Sequence, residues 1–248
     1  MDYINNLLSK IYVACHTLAI STEARWTAFV LFHRCLNVYT RSDTNSNTCH
    51  NVPEQKQRLA NLASASIFLA CKLSNETRRI RDVINIHQML NFDDISDTKE
   101  IHLQDQPPAL DETYWETKAH VVKNEQDLLR IIGFNVTIEF PHRIIVAIWE
   151  EMIQGQFVQN SKELSYSVLQ NCWKHLNDVM FSGKCMRMLR TSVLGCVVLS
   201  HALEKHGLNE SANMKRLNWY EWVDVTLHEF HHGKKMLETQ MIEMHQPL

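Results

Sequence analysis

Glycine and proline are the residues that most often turn a chain, and this one has six and five of them in 248 positions. Globular proteins use them at roughly 7% and 5%. Hairpins depend on glycine, asparagine and proline at set positions, so a chain this poor in them has few ways to reverse between strands. What recurs instead is apolar spacing at three and four residues. Together these features predict an all-α fold.

The helices can be traced along the chain. Ile4, Leu7, Leu8, Ile11 and Tyr12 form the stripe of a first helix. After the polar break "ISTEA", Ser21 or Thr22 can cap a second helix whose body runs over 25–39. "TRSDTNSNTCHNVPEQ" reads as an exposed loop. A third helix, about 57–73, is crowded with small residues (Ala60, Ala63, Ser64, Ala65, Ser66, Ala70) among Leu62, Ile67, Phe68 and Leu69. Small side chains around most of its circumference let neighbouring backbones come close, which marks it as central and buried.

A short fourth helix comes next at about 79–90 and, beyond a polar stretch containing "DQPP", a fifth at 111–132. Gly133 is a natural C-terminal stop for it. "NVTIEFP" is a bridge, and Pro141 sits where a first helical turn tolerates proline. Further helices are expected from Pro141 onward and near 162–181, 186–205, 217–229 and 231–244. The chain therefore divides into two sets of about five helices, 1–138 and 139–248, with no residue-level repeat between them.

Charge and cysteine usage exclude several functions. The formal net charge is only -3, without the basic field of a nucleic-acid binder. The seven cysteines (15, 35, 49, 71, 172, 185 and 196) are scattered, odd in number and free of any CxxC pair. They read as buried thiols of a reducing compartment. The N-terminal "MDYINNLLSKIYVACH" carries an acid and a lysine where a signal peptide would not. The sequons at Asn75, Asn135 and Asn209 are then chance matches. The longest uncharged apolar run, 191–203, is too short for a membrane span of about 20 residues. A soluble intracellular protein is expected.

Other patterns carry less. "HEFHH" at 228–232 formally matches the zincin motif, with His228 and His232 on one face and Glu229 as base. The extended motif needs glycine and histidine where Lys235 and Glu238 stand, and His245 is the only histidine further on. No metal site or cofactor is expected, and no P-loop, GxGxxG or GxSxG occurs. The six tryptophans (26, 115, 149, 173, 219 and 222) lie in helical patterns and are read as core.

One constellation points to function. In the fifth helix Tyr114, Val121, Leu128 and Ile132 share a stripe, and Glu125 falls in phase with them. A carboxylate among apolar positions is costly unless something satisfies it. Lys72, at the end of the central helix, is the credible partner, although the helix dipole alone favours a lysine there. Arg78, Arg79, Arg81 and Asp82 read as an ion-pair cluster rather than a ligand site.

The small-residue third helix ending in lysine, then "RRIRDVIN", resembles a cyclin box. "YWETKAHVVKNEQDLLRIIGFNVTIEFPHRIIV" resembles the fifth helix and inter-repeat link of transcription-type cyclins such as cyclin L and cyclin Q. "LSKIYVACHTL" and "ARWTAFVLFHR" suit the first two helices. The resemblance is good over about 4–150, looser over 160–205 and fades beyond 206. It implies a cyclin fold of two repeats and a non-catalytic, nuclear regulatory subunit. Such a subunit forms a heterodimer with a cyclin-dependent kinase and needs no membrane or nucleic acid. In cyclins a lysine and a glutamate clamp backbone groups beside the kinase's regulatory helix. By resemblance those roles fall on Lys72 and Glu125, with apolar contacts from Leu73, Leu129 and Phe134. One departure stands out: cyclins commonly place two acids soon after the lysine, whereas here Ser74 and Asn75 precede Glu76. A kinase-independent scaffold, for example in meiotic recombination complexes, is the alternative.

Overall fold

The computed structural model describes residues 2–42, 52–90, 92, 110–158, 161–208 and 217–245. Their regular structure is all helical, with no strand among them, and they divide into two compact units, Met1–Ile138 and Glu139–Leu248.

The first unit contains α1 (Asp2–Thr17), α2 (Thr22–Ser42), α3 (Val52–Leu73), α4 (Ile80–Met89) and α5 (Glu112–Ile131). α3 packs against the other four, and every residue from 60 through 71 is buried. That is the behaviour of a helix apolar or small on all sides. Its serines do not stay in water: Ser66 donates to the Leu62 carbonyl, and Ser64 Oγ lies 2.6 Å from His87 Nδ1 on α4. Ser21 is the cap of α2, its hydroxyl accepting from Ala24 N at 3.1 Å. Asp111 caps α5 by accepting from Tyr114 N at 3.0 Å. α2 runs on to Ser42 and α3 begins at Val52, with Pro53 in its first turn, so 40–42 and 52–55 of the expected 40–55 loop are helical. Cys49, the "DQPP" stretch and the sequon at Asn209 lie outside the described residues.

The second unit contains α6 (Pro141–Gln154), α7 (Lys162–Met180), α8 (Gly183–Met188), α9 (Thr191–Lys205), a 3₁₀ turn (Trp219–Val223) and α10 (Leu227–His245). α9 is central: residues 193–200 are all buried. Glycines allow its close approaches. A Cβ at Gly195 would lie 3.2 Å from Ile144 of α6, and one at Gly233 of α10 would lie 2.9 Å from Val193.

Three expectations are corrected by the structure. The helix expected at 186–205 is two, because Leu189 and Arg190 are extended (ψ 136° and 149°) and Ser182 caps the shorter piece. The helix expected at 217–229 is the 3₁₀ turn, stopped by Asp224 in the left-handed region (φ +57°). α10 then starts at a capping box, Thr226-x-x-Glu229. Trp26, Trp149 and Trp219 are core, but Trp115 and Trp222 are 57% and 40% exposed.

The six described cysteines are buried and form no disulfide among the described residues. Burial pushes the thiols of Cys15, Cys35, Cys172 and Cys196 up to about 12. Among the described residues no helix is long and apolar enough to cross a membrane.

Candidate functional site

α3 ends abruptly just after Leu73. Glu76 N donates to the Cys71 carbonyl (3.0 Å) and Asn75 N to the Lys72 carbonyl (3.3 Å), with Asn75 at φ +56°. This is a Schellman stop using asparagine, a residue that tolerates the left-handed region. It leaves Lys72 in the last turn, where the terminal carbonyls favour a cation.

Lys72 reaches across to α5, and its Nζ donates to Glu125 Oε1 at 2.5 Å. The same ammonium lies 4.1 Å from the centroid of the Phe68 ring, one turn back. The two charges are unequally buried: the Lys72 side chain is 46% exposed and the Glu125 side chain 12%. A half-exposed pair contributes about 0–1 kcal/mol, and the stacked ring adds about 0.5–1 kcal/mol. Removing the lysine costs more than their sum, because Glu125 would remain sunk in the stripe with Tyr114, Val121 and Leu128. An ammonium has three donors, so Lys72 can hold Glu125 and still donate outward.

α5 also ends in a Schellman stop. Gly133 N donates to Arg130 O (3.0 Å) and Phe134 N to Leu129 O (2.8 Å). Gly133 has φ +61° with open space where a Cβ would sit, so it is the dihedral that calls for glycine. Phe134 comes next at φ +57° and is 68% exposed. A bulky residue in that region costs about 1–2 kcal/mol, and a ring in water gains little packing in return. The strained backbone holds an aromatic side chain out from the protein. Arg34 secures the segment just beyond, donating to the carbonyls of Asn135 (3.4 Å) and Thr137 (3.3 Å).

Lys72 and Glu125 are thus in direct contact. Leu73 is next to Lys72, Leu129 lies one turn beyond Glu125, and both are partly exposed. The Phe134 backbone is hydrogen bonded to that of Leu129. The arrangement is one ion pair with outward-facing hydrogen-bonding capacity, beside apolar side chains on two helix ends.

No protein-family model matches the chain. Individual relatives do. Cyclin-L1 of Xenopus laevis is 30% identical over 184 residues, which is 74% of this chain and 32% of that protein. Cyclin-L1 of Homo sapiens is 29% identical over 184 residues, 74% of this chain and 30% of the relative. The Cyclin L homolog cyl-1 of Caenorhabditis elegans is 30% identical over 169 residues, 65% and 33% respectively. This chain is a divergent member of the cyclin family. It spans about a third of the length of the curated relatives it matches. The all-α architecture is accordingly the cyclin fold.

In this cyclin-family chain the residues after the lysine have an internal job. The Glu76 carboxylate accepts from Ser21 N at 2.9 Å. Arg78 donates to the carbonyls of Leu18 and Ala19, each at 3.0 Å. Both therefore hold the α1–α2 turn, where Ala19 itself is left-handed at φ +49°. Arg79 and Arg81 are exposed at the start of α4. Sequence reasoning missed Phe68, four residues before Lys72; the spacing alone put the ring within reach.

The "HEFHH" residues are employed differently from a zincin. Glu229 accepts from Thr226 N (2.9 Å) and Oγ1 (2.7 Å) and pairs with Arg190 Nη2 at 2.8 Å. The Thr226 bonds first, then Arg190, hold its carboxyl below the usual carboxylate range, the wrong direction for a general base. His228 and His232 stack parallel with ring centroids 6.4 Å apart.

Proposed function

We propose that this chain is a cyclin-type regulatory subunit that binds and activates a cyclin-dependent kinase, of the transcription-linked kind, as a nuclear heterodimer. The observation that carries the proposal is the Lys72–Glu125 pair, half buried and flanked by Leu73, Leu129 and the strained, exposed Phe134. Cyclin L relatives support the family and hence the class of partner. In this reading Lys72 donates to a carbonyl at the end of the kinase's regulatory helix, and Glu125 accepts from a backbone N–H beside it. The apolar side chains cover the helix. Held inward, that helix places its glutamate on the ATP-positioning lysine of the kinase. All catalytic groups belong to the kinase, and no cofactor, metal, nucleic acid or membrane takes part.

The test is affinity purification of the full chain and of Lys72→Ala and Glu125→Ala. Wild type is expected to bring down a kinase. Each variant is expected to lose capture by about tenfold or more, the loss typical of a truncated charged hydrogen-bond partner at an interface, while remaining helical by circular dichroism. Undiminished capture by both variants would remove this surface from the interface. A second reading rests on Ser74, Asn75 and the inward-turned Glu76: a cyclin-fold scaffold without a kinase. Recovery of recombination or repair proteins, with no kinase among them, would favour it.

A further inference from the structure

Among the described residues of the first unit, every large hydrophobic side chain that is exposed lies on α5 or beside its ends. Leu110 precedes the helix, Trp115 and Val122 are on it, and Phe134 and Val136 follow it. Exposed apolar residues scattered singly need no explanation, but a set gathered along one element marks a surface for a partner.

The spacing on α5 narrows the kind of partner. Trp115, Lys118, Val122, Glu125 and Leu129 recur at alternating intervals of three and four. Trp115, Val122 and Leu129 each directly follow a buried residue of the inner stripe, Tyr114, Val121 or Leu128. The row therefore runs along the flank of α5, beside the face that the fold buries. Alternation of three and four keeps a row of side chains against a second helix crossing at about 20°. From Trp115 to Leu129 the row is about 21 Å long. Its lower end is the Lys72–Glu125 pair with Leu129, and its upper end is the exposed indole of Trp115. Lys118 sits between, its ammonium 4.9 Å from the centroid of the Trp115 ring and paired with no carboxylate among the described residues.

We propose that the regulatory helix of the kinase lies along this row for its whole length, and that Trp115 is a second anchor which selects among kinases. This inference rests on the kinase-regulator reading, in which that helix ends at Lys72 and Glu125. A helix that ends there and runs back along α5 reaches Trp115 after about ten residues. The kinase that fits carries an apolar recess opposite Trp115 and an acidic side chain opposite Lys118. Tryptophan suits the anchoring role because one ring buries a large area at a small cost in side-chain freedom. A second copy of the chain fits less well. Its α5, laid antiparallel on the row, would set Lys118 against Glu125, whose carboxylate Lys72 already holds.

The test replaces Trp115 by the photo-crosslinking residue benzoylphenylalanine in the full chain, with Tyr166, exposed on α7 in the second unit, replaced in a control. After irradiation in nuclear extract, mass spectrometry identifies the joined peptides. Position 115 is expected to join the regulatory-helix peptide of a cyclin-dependent kinase, and position 166 not to. Joining to a peptide of this same chain, to a protein other than a kinase, or to nothing would overturn the assignment. Capture of that kinase is expected to fall about tenfold or more in Trp115→Ala and to recover largely in Trp115→Phe, while the melting temperature of each stays near wild type. Undiminished capture by Trp115→Ala would remove the anchor. A marked loss of melting temperature would show the ring packed within its own chain and overturn the proposal as well. If Lys72→Ala loses capture and Trp115→Ala does not, the second anchor fails and the kinase-regulator reading stands. If wild type brings down no kinase, both fail.

Discussion

Phe134 offers a way to separate what the fold needs from what a partner needs. It has φ +57° and its side chain is 68% exposed. Phe134→Gly removes a left-handed penalty of about 1–2 kcal/mol. It adds back about 0.5–1 kcal/mol of unfolded-state entropy, and the exposed ring contributes little burial to lose. The net is a stabilisation of about 0.5–1 kcal/mol, or about 1–4 °C in Tm for a chain of this size. Phe134→Ala keeps the Cβ and therefore the strain, so its Tm is expected to stay near wild type. Both changes remove the ring. If the ring fills a pocket on the kinase as a central aromatic anchor, each lowers kinase capture by about 2 kcal/mol, or roughly thirtyfold. Thermal unfolding and kinase capture, measured side by side, read the two effects. A glycine variant that is less stable than wild type would refute the backbone strain. Capture unchanged in both variants would refute a binding role for the ring.

Two further outcomes concern interior groups. His175 on α7 is buried against His201, with ring centroids 4.6 Å apart. Burial first, then His201, Lys205 and Lys174, lower its pKa to about 4, while Asp178 is 3.9 Å away. Because the folded pKa is depressed, the unfolded chain takes up this proton first. Stability present above about pH 6.5 is lost as pH falls toward 4, by about 2–3 kcal/mol from this one group. Urea unfolding at pH 7 and pH 5 should show a smaller acid loss in His175→Leu than in wild type; an identical loss would clear His175. Arg78→Ala removes two hydrogen bonds from the Leu18 and Ala19 carbonyls, with an expected cost of about 1–2 kcal/mol in denaturant unfolding; an unchanged midpoint would show that Arg78 does not hold that turn.

What could be read from the sequence depended on whether the deciding contact was local. The scarcity of turn residues was enough to indicate an all-helical fold, and the small residues of 57–73 marked the central helix, because both constrain packing wherever the neighbours lie. Glu125 was legible for a related reason: a carboxylate in an apolar stripe demands a partner, and few cations were on offer. The break at Leu189–Arg190 was not legible, since a short capped helix and a continuous one share the same spacing. The Thr226–Glu229 capping box was present in the letters but hidden beneath the more conspicuous histidines. Phe134 looked like any residue after a C-terminal glycine. Local pattern accounts for the groups whose needs are met nearby. The strained Phe134 is the place where those rules are broken without visible compensation inside the fold, and such a residue is where a partner is expected to supply what is missing.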